Sequence, residues 1–309
     1  MENKVNGILL LDKPQGITSN QALQRVKRLF GANNKVGHTG SLDPLATGML
    51  PICFGEATKF SAFLLNSDKK YLVTAQLGIK TDTGDLDGNI IATESNKIYS
   101  FTESQLEAIF KNFIGDVVQV PPMYSAIKQD GVRLYKLARK NIEVVVKPRI
   151  IKINSIKLIN LCNDKGQITL EVDCGKGTYI RTLMEDLGVA LNCLATVKSL
   201  RRITVGNFAV SKMVNILELE KLLSVDFQTA VEQILLPVTD CLTSLPVLEI
   251  SNANAQLLHN GQIVYIDHVY AKYGTNTLIC LITEEKYLVG VGEVLDGNKI
   301  VAKRLVKSL

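Results

Sequence analysis

The 309-residue sequence holds no tryptophan and only nine tyrosines. A protein that lays single-stranded nucleic acid along a platform needs a row of stacking rings, so that mode is excluded. The three histidines, His38, His259 and His268, stand apart from the six cysteines, and no Cys-x-x-Cys pair occurs. That scatter excludes a zinc site and a disulfide framework. No stretch approaches the roughly 18 apolar residues of a membrane span. The short apolar run Gly7 to Leu11 has neither the basic flank nor the small-residue cleavage site of a secretion signal. A soluble cytoplasmic protein, with no membrane contact, is expected.

What is present is a core-forming chain, 46% apolar and 21% charged. Its length favours one large and one small domain, expected over residues 1–240 and 245–309. The net charge is +5, and residues 246–309 carry six basic and six acidic side chains, so the excess lies in the larger part. Lys128 to Lys152 alone holds eight basic residues against two acidic ones. Such a patch suits a polyanionic partner.

The stretch Lys35 to Thr58 organises the rest. Gly37, Gly40, Gly48 and Gly55, with Pro44 and Pro51, surround one imidazole, His38, and one carboxylate, Asp43. We read it as a shaped loop through which neither helix nor regular strand runs. Pro44 disfavours helical backbone at Asp43 and so holds its carboxylate on a fixed turn.

Gly7 to Asp12 reads as a buried strand, and Thr18 or Ser19 caps a helix to about Phe30. Glu56 to Leu65 reads as a second helix. Tyr71 to Gly78 alternates as a strand with Tyr71, Val73, Ala75 and Leu77 on one face. In the polar turn Thr81 to Gly88, Thr83 stands where a calcium loop needs its first aspartate, so a hairpin is expected there. Thr102 and Gln105 form a capping-box pattern for a helix to Phe113. Val132 to Lys140 predicts a short helix with Arg133, Lys136 and Lys140 on its polar side, followed by strands at 142–146, 150–161 and 168–174. Gly175-Lys-Gly-Thr178 leads into a helix, and Leu170 stands where a phosphate loop would need a glycine. Lys198 to Ile203 joins a strand, and two helices follow over about 215–223 and 226–235. Beyond Leu245 short strands and one helix (253–259) close on a hairpin at Asp296-Gly297.

Leu11-Asp-Lys-Pro14, Gly37-His-Thr-Gly-Ser-Leu-Asp-Pro-Leu-Ala-Thr-Gly48, Lys70-Tyr71, Leu77-Gly78, Thr81-Asp-Thr83, Pro122-Met-Tyr-Ser-Ala126, Gly177-Thr-Tyr-Ile-Arg-Thr182 and Leu200-Arg-Arg202 together resemble the bacterial TruB-type tRNA pseudouridine synthases. The resemblance implies an α+β fold: a mixed, largely antiparallel sheet flanked by helices, and a small β-rich C-terminal RNA-binding (PUA-like) domain. It implies isomerisation of uridine 55 in the T loop of transfer RNA, with no metal or other cofactor, by a monomer with no obligatory protein partner. Breaking the sugar–base bond and rejoining the base through carbon suits a carboxylate acting at the nucleoside. Asp43 matches the family's essential aspartate. Arg181 is expected to lower its pKa and orient it through a paired hydrogen bond.

The target base must leave its stack. By resemblance Tyr71 stacks on it and is available to take a proton, Tyr179 and Leu200 line the pocket, and His38 enters the T loop. Lys136 and Lys140, with Arg139, fall in an insertion at about 121–150 that grips the stem, and Lys13 lies near the pocket. A noncatalytic RNA-refolding protein would not need Asp43 or Arg181. A guide-RNA-directed relative is disfavoured by the absence of a basic tail, and a hydrolase using Ser41 or Cys53 lacks a paired base.

Overall fold

The computed structural model describes residues 5–33, 35–94, 97–140, 142 and 144–307. Among them nine strands form one sheet. It contains β1 (Gly7–Lys13), β2 (Val36–His38), β3 (Thr47–Phe54) and β4 (Lys69–Leu77). A side hairpin, β5 (Ile79–Thr81) with β6 (Ile90–Thr93), precedes β7 (Gly115–Gln119), and a two-residue pair, β8 (Lys128–Gln129) with β9 (Val132–Arg133), follows it. The main sheet is completed by β10 (Arg149–Cys162), β11 (Gln167–Cys174), β12 (Ala195–Val205) and β13 (Val214–Asn215), in the order β13-β1-β3-β12-β4-β11-β10-β7 with β2 on β3. Most neighbours are antiparallel; β1–β13 and β3–β12 are parallel.

The run Ile8 to Leu11 is apolar at every position because β1 is covered on both faces. Leu9 and Leu11 enter the main core, while Ile8 and Leu10 enter a second cluster with Cys280, Val291 and Val306. That second cluster joins the large sheet to a five-stranded one built from β14 (Val247–Ile250), β15 (Val264–Tyr265), β16 (Leu278–Thr283), β17 (Leu288–Leu295) and β18 (Lys299–Leu305). By contrast β4 alternates buried and half-buried side chains, as its period of two requires.

Helices α1 (Ser19–Leu29), α2 (Ser61–Asn66), α3 (Glu103–Phe110), α4 (Leu134–Ala138), α5 (Ile180–Ala190), α6 (Ile216–Val225) and α7 (Phe227–Ile234) belong to the first part, and α8 (Asn252–His259) and α9 (Val269–Tyr273) to the second. Thr18 caps α1 and Thr102 caps α3, each in a reciprocal box with a glutamine three residues on.

Several expectations are corrected. Strands β2 and β3 run through the stretch read as loop, leaving only 39–46 irregular. Pro51 is tolerated because its carbonyl accepts from the Thr39 amide, so its nitrogen points the same way, out of the β1 ladder. The helix read over 56–65 is split at Phe60 into a 3-10 turn (Gly55–Lys59) and α2. The basic helix read over 132–140 is only α4, because Asp130 (φ 50°) and Gly131 (φ 81°) make a two-residue hairpin turn that draws Val132 and Arg133 into β9. Of the strand read at 142–146, Glu143 lies outside the described residues, and the described ones form no strand. In the C-terminal part α9 is an additional helix, entered through His268 in the left-handed region.

Candidate active site

Loop 39–46 carries Asp43 and is tied down from several directions. The Ser19 hydroxyl, buried in the first turn of α1, donates to the Leu42 carbonyl (3.0 Å) and accepts from the Leu42 amide (2.7 Å). The Pro44 carbonyl accepts from the Gly16 amide (2.8 Å) and from Lys13 Nζ (3.4 Å). Gly40's carbonyl accepts from Arg202 Nη2 (2.9 Å). The carboxylate therefore sits on a loop with little freedom, the arrangement a reacting group needs.

Arg181, in the first turn of α5 and only 5% exposed, places Nε 2.9 Å from Asp43 Oδ2. Its other nitrogens donate to the Thr83 carbonyl (2.6 Å) and the Tyr124 carbonyl (2.8 Å), and Nη1 lies 3.8 Å from Asp85 Oδ2. The expected paired bond to Asp43 is thus a single one, because the rest of the guanidinium is engaged elsewhere. Nor does Arg181 bring the Asp43 pKa below its ordinary value. Burial raises it, Arg181 and Lys13 oppose that rise, and Asp85 adds to it. Protein crowds the carboxyl on most sides, yet 41% of its side chain still meets solvent, so water relieves part of the upward push that Arg181 opposes.

Tyr71 lies in β4, opposite Val172 of β11 and Arg202 of β12. It is 8% exposed, and burial pushes its phenol up while the neighbouring Arg202 opposes that rise. Leu200, equally buried on β12, pairs with Val73 two residues along. Tyr179 precedes α5 with its backbone clamped by the Gln119 amide (2.8 and 3.1 Å) and the Arg149 guanidinium 4.9 Å from its ring centroid. His38 ends β2; burial and then Arg202 hold its pKa below the ordinary value, and its Nδ1 is buried without a partner.

Lys13 differs from its expected place as a contact to RNA. It is fully buried, its ammonium donating to the carbonyls of Pro14 and Ile17 (both 2.7 Å), and burial lowers its pKa to about 8. It supports the loop from beneath. Lys136 and Lys140 are exposed on and just after α4, with no bond to the Asp43 loop. The connection runs through backbone: Arg181 bonds Tyr124, and the next carbonyl, Ser125, accepts from the Tyr135 amide of α4 (3.1 Å).

Sequence reasoning gave no place in the site to Asp85, Gln119, Arg149 or Arg202, and read Ser19 only as an alternative helix cap; Arg202 stood in the Leu200-Arg-Arg202 motif. A groove of about 770 Å³ shares none of these residues; Lys27, Lys35, Lys59 and Arg304 line it together with Asn33 and Thr58. It is a cationic surface rather than a pocket for a base.

A two-sheet α+β chain that presents an arginine-held aspartate beside a buried tyrosine is built as a pseudouridine synthase. Residues 27–180 match the N-terminal domain of the TruB family of pseudouridylate synthases, residues 181–243 match a tRNA pseudouridylate synthase B C-terminal domain, and residues 246–306 match the pseudouridine synthase II TruB C-terminal domain. The chain belongs to the TruB family. A relative from Shewanella sp. (strain MR-4), called tRNA pseudouridine synthase B, is 46% identical over 308 residues, spanning 98% of this chain and 94% of its own. One of the same name from Stutzerimonas stutzeri (strain A1501) is 46% identical over 304 residues, with 98% and 96% covered. Among solved structures, a Cbf5-Nop10-Gar1 complex contains a chain of the same fold, with a TM-score of 0.73 at 22% identity over 97% of this chain and 84% of that one.

Proposed function

We propose that this chain isomerises uridine 55 in the T loop of transfer RNA to pseudouridine, with Asp43 as the reacting carboxylate. The observation that carries the reading is the Asp43–Arg181 contact at 2.9 Å beneath a side chain that is 41% open. The pair holds an anion at a water-accessible surface, where an extruded nucleoside can reach it. In this reading Asp43 attacks the nucleoside or stabilises its developing charge, and Arg181 fixes the carboxylate. Tyr71 and Leu200 form the wall that receives the base, and Tyr71 takes a proton as the phenolate, the form that Arg202 favours against burial. Tyr179 completes the pocket, and His38, held neutral, takes the place vacated in the T loop by stacking and hydrogen bonding.

The partner is the T arm of transfer RNA. Lys136 and Lys140 stand exposed to its backbone phosphates, and the Lys27–Lys35–Lys59–Arg304 groove offers further cationic surface. We assign residues 1–240 to catalysis, with about 121–150 as the gripping insertion, and 245–309 to an RNA-binding module. The chain acts alone, as a cytoplasmic monomer. Among the described residues no helix is long and apolar enough to cross a membrane.

Incubation with unmodified transfer RNA, followed by chemical mapping of pseudouridine at every uridine, tests the reading. Modification confined to the T-loop site is expected. Absence of the product, or modification scattered over other uridines, overturns it.

A further inference from the structure

Arg202 is the largest fully buried side chain, 1% exposed, and among the described residues its guanidinium pairs with no carboxylate. A buried cation without a counter-ion is costly, so its contacts must matter to the fold or to the chemistry. They converge on the site. Nε donates to the Met49 carbonyl (2.7 Å) at the start of β3, and Nη2 donates to the Gly40 carbonyl (2.9 Å) between His38 and Asp43. On the other side Arg202 is the cross-strand partner of Tyr71.

Two glycines of the Asp43 stretch, Gly40 and Gly48, lie against this one arginine. At Gly48 (φ 97°), its register partner on β3, a Cβ would overlap the Arg202 carbonyl. At Gly40 (φ 80°) a Cβ would stand 3.4 Å from Nη1. Gly48 therefore lets β3 close on the Arg202 backbone, and Gly40 lets the loop turn through a positive φ beside the guanidinium.

The geometry points to Arg202 as a positioning residue for the isomerisation: its planar fork locks the first half of loop 39–46 to β3 and sets that loop against the Tyr71 phenol, so that carboxylate and phenol meet the base together. Arg181 holds the loop's second half at Asp43, and neither arginine can substitute for the other. Lysine carries the same charge but one nitrogen on a flexible stem, and cannot span Met49 and Gly40 as the fork does. Removing the charge altogether also removes the cation that helps keep His38 neutral.

The inference rests on Asp43 being the reacting group, so Asp43→Asn serves as the reference. Turnover under single-turnover conditions, the Kd for unmodified transfer RNA, and the pH titration of the His38 ring protons by NMR are measured for Arg202→Lys and Arg202→Gln. With only three histidines in the sequence, that resonance is assignable by His38→Gln. Arg202→Lys is expected to slow turnover at least tenfold while Kd stays within threefold and the His38 titration stays near its original position. Arg202→Gln is expected to slow turnover further and move the His38 titration to higher pH. Gly40→Ala, which keeps the arginine but strains the backbone turn (φ 80°) whose carbonyl it holds, is expected to reproduce the lysine effect. Full turnover in Arg202→Lys, with Asp43→Asn inactive, overturns this inference alone; an active Asp43→Asn overturns the reading beneath it. Equal losses of turnover and RNA affinity, or an unmoved His38 titration in Arg202→Gln, also reject the positioning role.

Discussion

Loop 39–46 and the segment 121–140 both belong to the proposed site, yet they are built in opposite ways. The loop is bonded by side chains from β1, α1, α5 and β12, and four of its eight residues are buried. The segment is anchored chiefly by local backbone bonds around a five-residue helix, in which Leu134 is the buried side chain. The contrast separates two demands. Chemistry needs a group held to within a fraction of an ångström, whereas gripping a phosphate backbone tolerates motion and gains from exposed charge. Substitutions in the loop should therefore act on turnover, and those in the segment on affinity and salt dependence.

The largest effect is expected at Asp43. Asp43→Asn keeps the shape and removes the charge, so turnover should fall at least about a thousandfold while transfer RNA affinity stays within severalfold. Parallel single-turnover and filter-binding measurements check this, and a matching loss of affinity would erase the contrast. Arg181→Lys comes next. One ammonium cannot serve Asp43, Thr83 and Tyr124 together, and turnover is expected to drop by about a hundredfold. Burial already raises the Asp43 pKa and Arg181 opposes that rise. A weaker partner therefore lets it climb further. In the proposed mechanism the ionised form is the active one, so activity is lost as pH falls through that value, and the acid limb of the pH–rate profile should move to higher pH. A limb that stays in place would mean that another group sets it.

A smaller change is expected at Ser19, whose hydroxyl is both donor and acceptor to Leu42. Ser19→Ala leaves a buried amide and a buried carbonyl short of partners. The expected loss is about 1–3 kcal/mol of stability, read from urea unfolding, with turnover reduced by less than about tenfold. An unaltered melt would show the loop to be less tightly held than its bonds suggest.

The same contrast decides what could be read beforehand. Local signals were legible where a residue acts on its own neighbourhood: Thr18 and Thr102 cap α1 and α3 with Gln21 and Gln105, and the alternation of Tyr71 to Leu77 fixed a strand and its buried face. The site's carboxylate, arginine and tyrosine came from motif resemblance, and the structure brings them together. Long-range fitting was not legible. Gly40 and Gly48 look like loop formers in isolation, because the reason for both, the Arg202 side chain and backbone, lies more than 150 residues along the chain. Burial reversed the expected direction of the Asp43 shift for the same reason, since the elements that desolvate it are distant in sequence. In the segment around α4 the Asp130-Gly131 turn was present in the sequence, but the helical spacing of Leu134, Leu137 and Ala138 obscured it.

The smallest effect on turnover, and the sharpest on salt dependence, is expected in that segment. Lys136 and Lys140 are exposed and make no ion pair among the described residues, so their charges are free for phosphate. Each phosphate contact releases condensed counterions on binding, and losing two should flatten the slope of log affinity against log salt by between about 1 and 2. Lys136→Ala with Lys140→Ala should weaken binding severalfold at low salt and progressively less as salt rises. Turnover at saturating transfer RNA should be unchanged, because the path from α4 to Arg181 runs through the backbone of Tyr124 and Ser125, which the substitutions leave intact. Binding measured across a salt series, beside turnover at saturation, decides the matter. An unchanged slope would remove this helix from the interface, and a fall in saturated turnover would show that the grip and the chemistry are mechanically joined.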